Sequence, residues 1–180
     1  MKKILLASLI MIISIVCYSQ SYSQNQWYFM CTNHSNNDSI TCYIQKKLDT
    51  YSGRKTFETD FISFSGGSYS LTKEKGIINL WLQFESDVIL RILVGEIIYI
   101  KLSDGSVLKF VNGSTNISDY SDYSNKWTNS FSFNLSGAKL ESLKSKTIIG
   151  MKCYINEYNL TEDDGEKFKN YLNCLFKAQW

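Results

Sequence analysis

One short stretch of the sequence combines residue types suited to binding a ligand. Residues 77–84 read Ile-Ile-Asn-Leu-Trp-Leu-Gln-Phe, so Trp81 shares one side of an alternating pattern with Asn79 and Gln83. An indole ring can cover the apolar face of a sugar while neighbouring amides bond its hydroxyls. These three residues are therefore a candidate carbohydrate site. The alternative, which the pattern favours, is that the terminal helix or a loop covers Trp81 as packing.

A second group of aromatic residues lies in a polar stretch. Residues 112–125 contain the repeat Ser-Asp-Tyr-Ser-Asp-Tyr, which carries Tyr120 and Tyr123, and Trp127 follows shortly after. Exposed tyrosines provide contact area with little loss of rotamer entropy, a feature typical of protein-recognition surfaces. We predict a partner-binding surface at these three residues, with a disordered loop as the alternative.

Catalytic chemistry has fewer candidates. A Ser-His-Asp triad could use only His34, because the chain has one histidine. Glu58 and Asp60 could hydrolyse a glycoside if their carboxyl groups lay about 5 to 9 Å apart, although such pairs are usually exposed solubilising charges. The sequence thus predicts a protein that is not an enzyme and has no cofactor or metal. A glycoside-acting hydrolase remains an alternative.

The cysteines predict a covalent framework. Of the five cysteines, Cys17 lies in an N-terminal segment that we expect to be removed on export, which leaves four. An exported chain with an even number of cysteines usually forms disulfides, and four cysteines allow three pairings. Alternation directs Cys31 and Cys42 inward from consecutive strands, while Cys153 lies inward on the last strand and Cys174 borders the apolar stripe of the final helix. We therefore predict the pairs Cys31–Cys42 and Cys153–Cys174. Metal binding by these residues is the lesser alternative, because no Cys-x-x-Cys spacing is present.

The N-terminus predicts export. Met1-Lys2-Lys3 precede thirteen mostly apolar residues, and small polar residues follow, a pattern typical of a secretory signal peptide. Thirteen residues are fewer than the roughly 20 that span a bilayer. We predict a signal peptide over residues 1–19, with cleavage after residue 19 or 23, and a periplasmic or secreted protein. Lipidation of Cys17 is not expected, because the preceding residues do not match Leu-x-Gly/Ala-Cys.

The charge balance excludes nucleic-acid binding driven by phosphate contacts. Once Lys2 and Lys3 leave with the signal peptide, the 19 basic residues fall to 17, equal to the 17 acidic ones. Phosphate binding requires clustered cations instead. The remaining segment, residues 24–180, has a length and a hydrophobic content suited to one domain.

Alternating apolar residues predict a chain made mainly of strands. The predicted strands are 27–32, 39–47, 56–64, 67–73, 77–84, 87–94, 96–103, 106–111, 127–135 and 147–156. Asp104-Gly105 indicates a type I′ turn that pairs Leu102 with Val107, and both faces of this hairpin are apolar enough to need cover. We predict an antiparallel β-sandwich-like domain.

Two helices complete the predicted fold. A short one covers residues 136–146, and a C-terminal one covers 162–178. Thr161 and Asp164 have the spacing of a capping box at the start of the second helix. Its apolar stripe comprises Phe168, Tyr171, Leu172 and Leu175.

Three structural motifs carry a family resemblance. They are Leu-Ser-Asp-Gly-Ser at 102–106, Leu-Ser-x-x-x-Leu-x-x-Leu-Lys at 135–144 and Phe-Lys-x-Tyr-Leu-x-Cys-Leu at 168–175. In this order, behind a signal peptide, they resemble small exported Gram-negative bacterial proteins of uncharacterised function. The resemblance covers roughly the second half of the chain, and it implies a fold and a compartment but no activity.

The sequence as a whole predicts an exported, non-catalytic binding or envelope-structural domain. Its expected partner is a glycan or a protein of the envelope or the secreted fraction. The alternative is an inhibitor or immunity-type partner of a secreted enzyme, in which the Ser-Asp-Tyr stretch fills a foreign active site.

Overall fold

The computed structural model describes residues 27–35, 38–122 and 124–179, and it describes side chains from residue 41 onward. The predicted signal peptide with both cleavage positions, and the candidate partner-binding residue Tyr123, lie outside the described residues. Among the described residues, neither helix combines the length and the apolar composition needed to cross a bilayer.

The fold is mainly antiparallel β with two helices, as predicted. The strands are β1 (Trp27–Ser35), β2 (Asp38–Leu48), β3 (Lys55–Glu58), β4 (Ile62–Phe64), β5 (Gly67–Glu74), β6 (Ile77–Ser86), β7 (Arg91–Ile92), β8 (Ile97–Leu102), β9 (Val107–Val111), β10 (Asn116–Ile117), β11 (Asp119–Ser121), β12 (Lys126–Leu135), β13 (Ile148–Cys153) and β14 (Asn156–Asn159). The helices are α1 (Gly137–Ser145) and α2 (Glu162–Lys177).

The strands form a large sheet, a small sheet and a two-stranded ribbon. The large sheet has the order β1-β2-β3-β5-β6-β12-β11, with β4 also paired to β5, and the small sheet has the order β14-β13-β8-β9. The ribbon pairs β7 with β10. The two sheets share one core, in which Tyr158 of β14 stacks on Phe84 of β6 with ring centroids 5.0 Å apart. Phe110 of β9 likewise meets Phe133 of β12 at 5.0 Å.

Helix α2 packs on the inner face of the large sheet, where it contacts β5. The predicted capping box is present: Thr161 accepts a hydrogen bond from the backbone of Asp164, whose carboxylate accepts one from the backbone of Thr161. Phe168 meets Tyr69 of β5 edge to face at 4.9 Å. At the other end of the helix, Lys73 donates to the carbonyl of Phe176 at 2.7 Å. These contacts place α2 on the side of the sheet opposite to Trp81.

Several predicted elements differ in extent from the observed ones. The strand predicted at 56–64 is divided into β3 and β4, and the one predicted at 87–94 is reduced to the two residues of β7. The polar stretch 112–125 contains the short strands β10 and β11 rather than a continuous loop. Strand β14 follows the tight turn at Tyr154, which has a positive φ of 55°.

The predicted register of the β8–β9 hairpin is wrong by one residue. Val107 pairs with Lys101 rather than with Leu102, and the connection is a three-residue loop in which Gly105 has a φ of 82°. A shift of one residue exchanges the two faces of a strand. Leu108 and Phe110 therefore lie toward the core and Lys109 lies outside. The other face carries exposed Val107 and Val111 beside Lys101 and Lys109, so the cover expected on both faces is not observed among the described residues.

Candidate functional site

Trp81 lies at the centre of a polar grid on the outer face of the large sheet. Directly opposed residues of antiparallel strands project from the same face, and Trp81 is opposed by Ser70 on β5 and by Ser132 on β12. A further row of three residues lies on each side of Trp81. One row is Thr72, Asn79 and Asn134, and the other is Ser68, Gln83 and Ser130. Uncharged hydroxyl and amide groups thus surround a single indole.

The indole is accessible to a ligand. Trp81 is 42% exposed, whereas its neighbours along β6 on the opposite face, Leu80 and Leu82, are fully buried. Helix α2 packs on that opposite face. Among the described residues neither the terminal helix nor a loop covers Trp81, so the packing role that the sequence favoured is not observed there.

The predicted partners of Trp81 lie beside it in the expected positions. Gln83 accepts a hydrogen bond from the hydroxyl of Ser68 at 3.3 Å, which orients its amide. Asn79 and Asn134 are direct cross-strand neighbours and line a depression of about 250 Å³. Asn79 and Gln83 were predicted from the sequence, whereas the residues on β5 and β12 were not. The signal for them was the repeated alternation of Ser, Thr or Asn in both strands.

Tyr120 and Trp127 form the second predicted cluster. They are paired across β11 and β12, and their rings meet edge to face at 5.1 Å. Tyr120 is 50% exposed. The cluster is thus an aromatic pair, with Tyr120 exposed and Trp127 partly buried, at the end of the large sheet and at the opposite end of β12 from Asn134.

The two carboxylates considered for catalysis are bonded to neighbouring side chains. Glu58 forms an ion pair with Lys47 at 2.6 Å, and Asp60 accepts a hydrogen bond from the amide of Gln45 at 2.8 Å. Both partners belong to β2. The arrangement supports the solubilising role that the sequence favoured for these residues.

Both predicted disulfides are wrong, because Cys42 and Cys153 are free thiols. Cys31 and Cys42 are directly opposed on β1 and β2. Alternation therefore identified neighbouring strand positions correctly, but adjacency in a sheet does not by itself determine that two cysteines are bonded.

Cys153 and Cys174 lie toward opposite ends of the contact between β13 and α2. Gly165, in the first turn of α2, packs against Ile148 at the start of β13. Farther along the helix, Asn173 donates to the carbonyl of Lys144, which precedes β13. The helix thus runs away from the end of β13 that carries Cys153. Cys174 is disulfide-bonded, but not to Cys42 or Cys153.

The two free thiols are expected to resist alkylation in the folded protein. Burial raises the pKa of Cys42 to about 11 and that of Cys153 to about 12, and the thiolate is the reactive form. Mass spectrometry after iodoacetamide treatment at pH 8 should show no modification of either residue in the native protein and complete modification of both in denaturant. Equal alkylation rates in the folded and unfolded protein would contradict this prediction.

The same burial makes stability depend on pH. Both thiols have higher pKa values when folded than the ordinary value of 9.0, so the unfolded chain releases these protons first. The contribution of the two buried thiols to the free energy of unfolding is complete below pH 9, and it declines as pH rises above that value.

The part of the chain that the structure describes offers no candidate metal centre. Its His, Cys, Asp and Glu side chains form no group of three or more that could hold a metal ion. Comparison with protein-family models, with curated protein sequences and with solved structures found no match to this chain.

Proposed function

We propose that the protein is an exported, non-catalytic domain that binds neutral carbohydrate through the grid around Trp81. The observation that carries the proposal is an indole, 42% exposed, enclosed by uncharged hydroxyl and amide side chains. A sugar presents an apolar ring face and a rim of hydroxyl groups. The grid matches a sugar because the indole can cover the apolar ring face and the amides can bond the hydroxyl groups.

The shape of the grid favours an extended ligand. Three adjacent strands span about 10 Å, and three rows of alternate residues span about 13 Å along them. Both cross-strand neighbours of Trp81 are serines, and their small side chains do not rise beside the indole ring. A short segment of a neutral polysaccharide fits these dimensions better than a compact molecule that requires a deep pocket.

Trp81→Ala is expected to weaken binding to a neutral polysaccharide about tenfold, because loss of a ring contact costs about 1.5 kcal/mol. Affinity gel electrophoresis against a panel of soluble neutral glucans, mannans and xylans measures the retardation. Trp127→Ala is the matched control and should bind as the native protein does. A Trp81→Ala variant that is retarded as strongly as the native protein would refute the proposal, as would the absence of binding to every polymer.

A protein partner of the inhibitor type is the second candidate function. It is supported by the exposed Tyr120 and by exposed Ile89 and Ile117 near the β7–β10 ribbon. Aromatic and aliphatic side chains of this kind supply the centre of many protein interfaces. In this case Tyr120→Ala, and not Trp81→Ala, would abolish capture of an exported protein.

A further inference from the structure

The outer face of the small sheet carries an array of lysine and tyrosine side chains, unlike the uncharged grid around Trp81. Tyr99 on β8 is opposed by Lys109 on β9 and by Lys152 on β13. The neighbouring row places Lys101 opposite Gly150. Side chains of one face recur every second residue and every neighbouring strand. Lysine side chains therefore surround a central tyrosine ring.

Gly150 leaves a gap in this array. Its cross-strand neighbours are Lys101 on one side and Asn159 on the other. Because glycine has no side chain, the position forms the floor of a groove of about 410 Å³, which is also lined by Tyr99 and Lys152. Lys101, Glu157 and Asn159 also line this groove.

The groove has an excess of positive charge. Lys152 pairs with Glu157 at 2.6 Å, and this hydrogen bond, together with the positive charges of Lys152 and Lys101, holds the pKa of Glu157 below its ordinary value. Lys101 and Lys109 form no ion pair with any described residue. Since the rest of the mature sequence is nearly balanced in charge, this cationic excess is local and complements an anion.

We propose that this groove binds an acidic sugar, a uronate residue of an anionic polysaccharide. Its carboxylate lies above Gly150 between the ammonium groups of Lys101 and Lys152. The sugar ring lies against Tyr99, and the Asn159 amide bonds a hydroxyl group. A uronate supplies an apolar ring face, hydroxyl groups and one carboxylate, which together match the aromatic, amide and cationic groups of the groove.

The composition of the groove favours a carboxylated sugar over a phosphate polymer. Phosphate recognition commonly uses the bidentate guanidinium of arginine, and the two arginines, Arg54 and Arg91, lie outside the groove. Tyr158 also lines the groove, but its ring stacks on Phe84 in the core, so Tyr99 alone offers a ring on the outer face. One ring falls short of the successive aromatic platforms on which single-stranded nucleic acid stacks.

This site is independent of the grid around Trp81. The inner faces of the two sheets pack on each other through Phe84 and Tyr158, so their outer faces point away from each other. The protein thereby presents an uncharged surface on one side and a cationic groove on the other. One molecule could hold a neutral and an acidic polysaccharide together.

Affinity gel electrophoresis with polygalacturonate tests the proposal on the full mature chain. The native protein should be retarded by polygalacturonate and not by its fully methyl-esterified form, which keeps the backbone but lacks the charge. Lys101→Gln should weaken binding about tenfold, because a charge-assisted hydrogen bond is lost. Lys167→Gln removes the same charge from α2, on which Lys167 lies 4.0 Å from Asp163, and should leave binding unchanged.

Two further variants test the shape of the groove and its independence from the grid around Trp81. Gly150→Ala fills the groove without altering charge and should weaken binding several-fold, with circular dichroism confirming the fold. Trp81→Ala should bind polygalacturonate normally, which distinguishes this site from the proposed neutral-sugar site. Equal retardation by inorganic polyphosphate, or equal losses in Lys101→Gln and Lys167→Gln, would show a general charge effect and overturn the proposal.

Discussion

Replacing Gly165 by alanine is expected to lower the free energy of unfolding by about 2 to 3 kcal/mol, although alanine is the better helix former. A Cβ atom at this position would lie 2.1 Å from the carbonyl oxygen of Ile148 and 2.5 Å from Cγ2 of Thr147. The nearest atom belongs to backbone and cannot rotate away. The first turn of α2 would therefore have to move off β13, and the packing below it would loosen.

Urea unfolding followed by circular dichroism measures the effect of Gly165→Ala. Gly113→Ala is the matched control, because nothing lies within 4 Å of its added Cβ and its backbone has no positive φ. We expect the control to change the free energy of unfolding by less than about 0.5 kcal/mol. A Gly165→Ala protein as stable as the control would mean that α2 does not approach β13 this closely.

Gly165 illustrates what local sequence patterns predict and what they miss. Thr161, Asp164 and the apolar stripe predicted the start and the buried face of α2, because caps and periodicity depend on residues close in sequence. The same local reasoning treats Gly165 only as a weak helix residue. Its contact with Ile148 depends on the approach of a separate strand, and no local pattern encodes that approach.

The β8–β9 hairpin shows how an error of one residue in register changes the side chains that lie on each face of a sheet. Asp104-Gly105 indicated a two-residue turn, but the loop contains three residues, and the register shifts by one. With the predicted register, Lys109 would face the core and would not lie opposite Tyr99, so the outer face of the small sheet would lose one of its three lysines. The face that a strand presents depends on register, which alternation alone does not determine when both faces contain apolar residues.

The surroundings of Trp81 were only partly predictable. Alternation along β6 placed Asn79 and Gln83 beside Trp81, as observed, because strand geometry fixes that relation. Whether the indole is covered depends on the face of the sheet on which α2 docks. That choice follows from the contact between Phe168 and Tyr69, which lie 99 positions apart in the chain.

Phe168→Ala is expected to have the largest effect on stability, a loss of about 3 to 5 kcal/mol. Phe168 is fully buried, and its ring meets the equally buried ring of Tyr69 at 4.9 Å. Its removal would leave a cavity at the centre of the contact between α2 and the inner face of the large sheet. Chemical unfolding should show a lower midpoint, since helix and sheet share one core.

Phe61→Ala is the matched control for Phe168→Ala, because Phe61 lies between β3 and β4 and is 61% exposed. The control should change stability by less than about 0.5 kcal/mol. At temperatures where Phe168→Ala remains folded, its affinity for a neutral polysaccharide should equal that of the native protein, because Trp81 lies on the other face of the sheet. If Phe168→Ala were as stable as Phe61→Ala, α2 could not be packed against β5 through this ring. The separation of a helix-covered inner face from an open binding face would then fail.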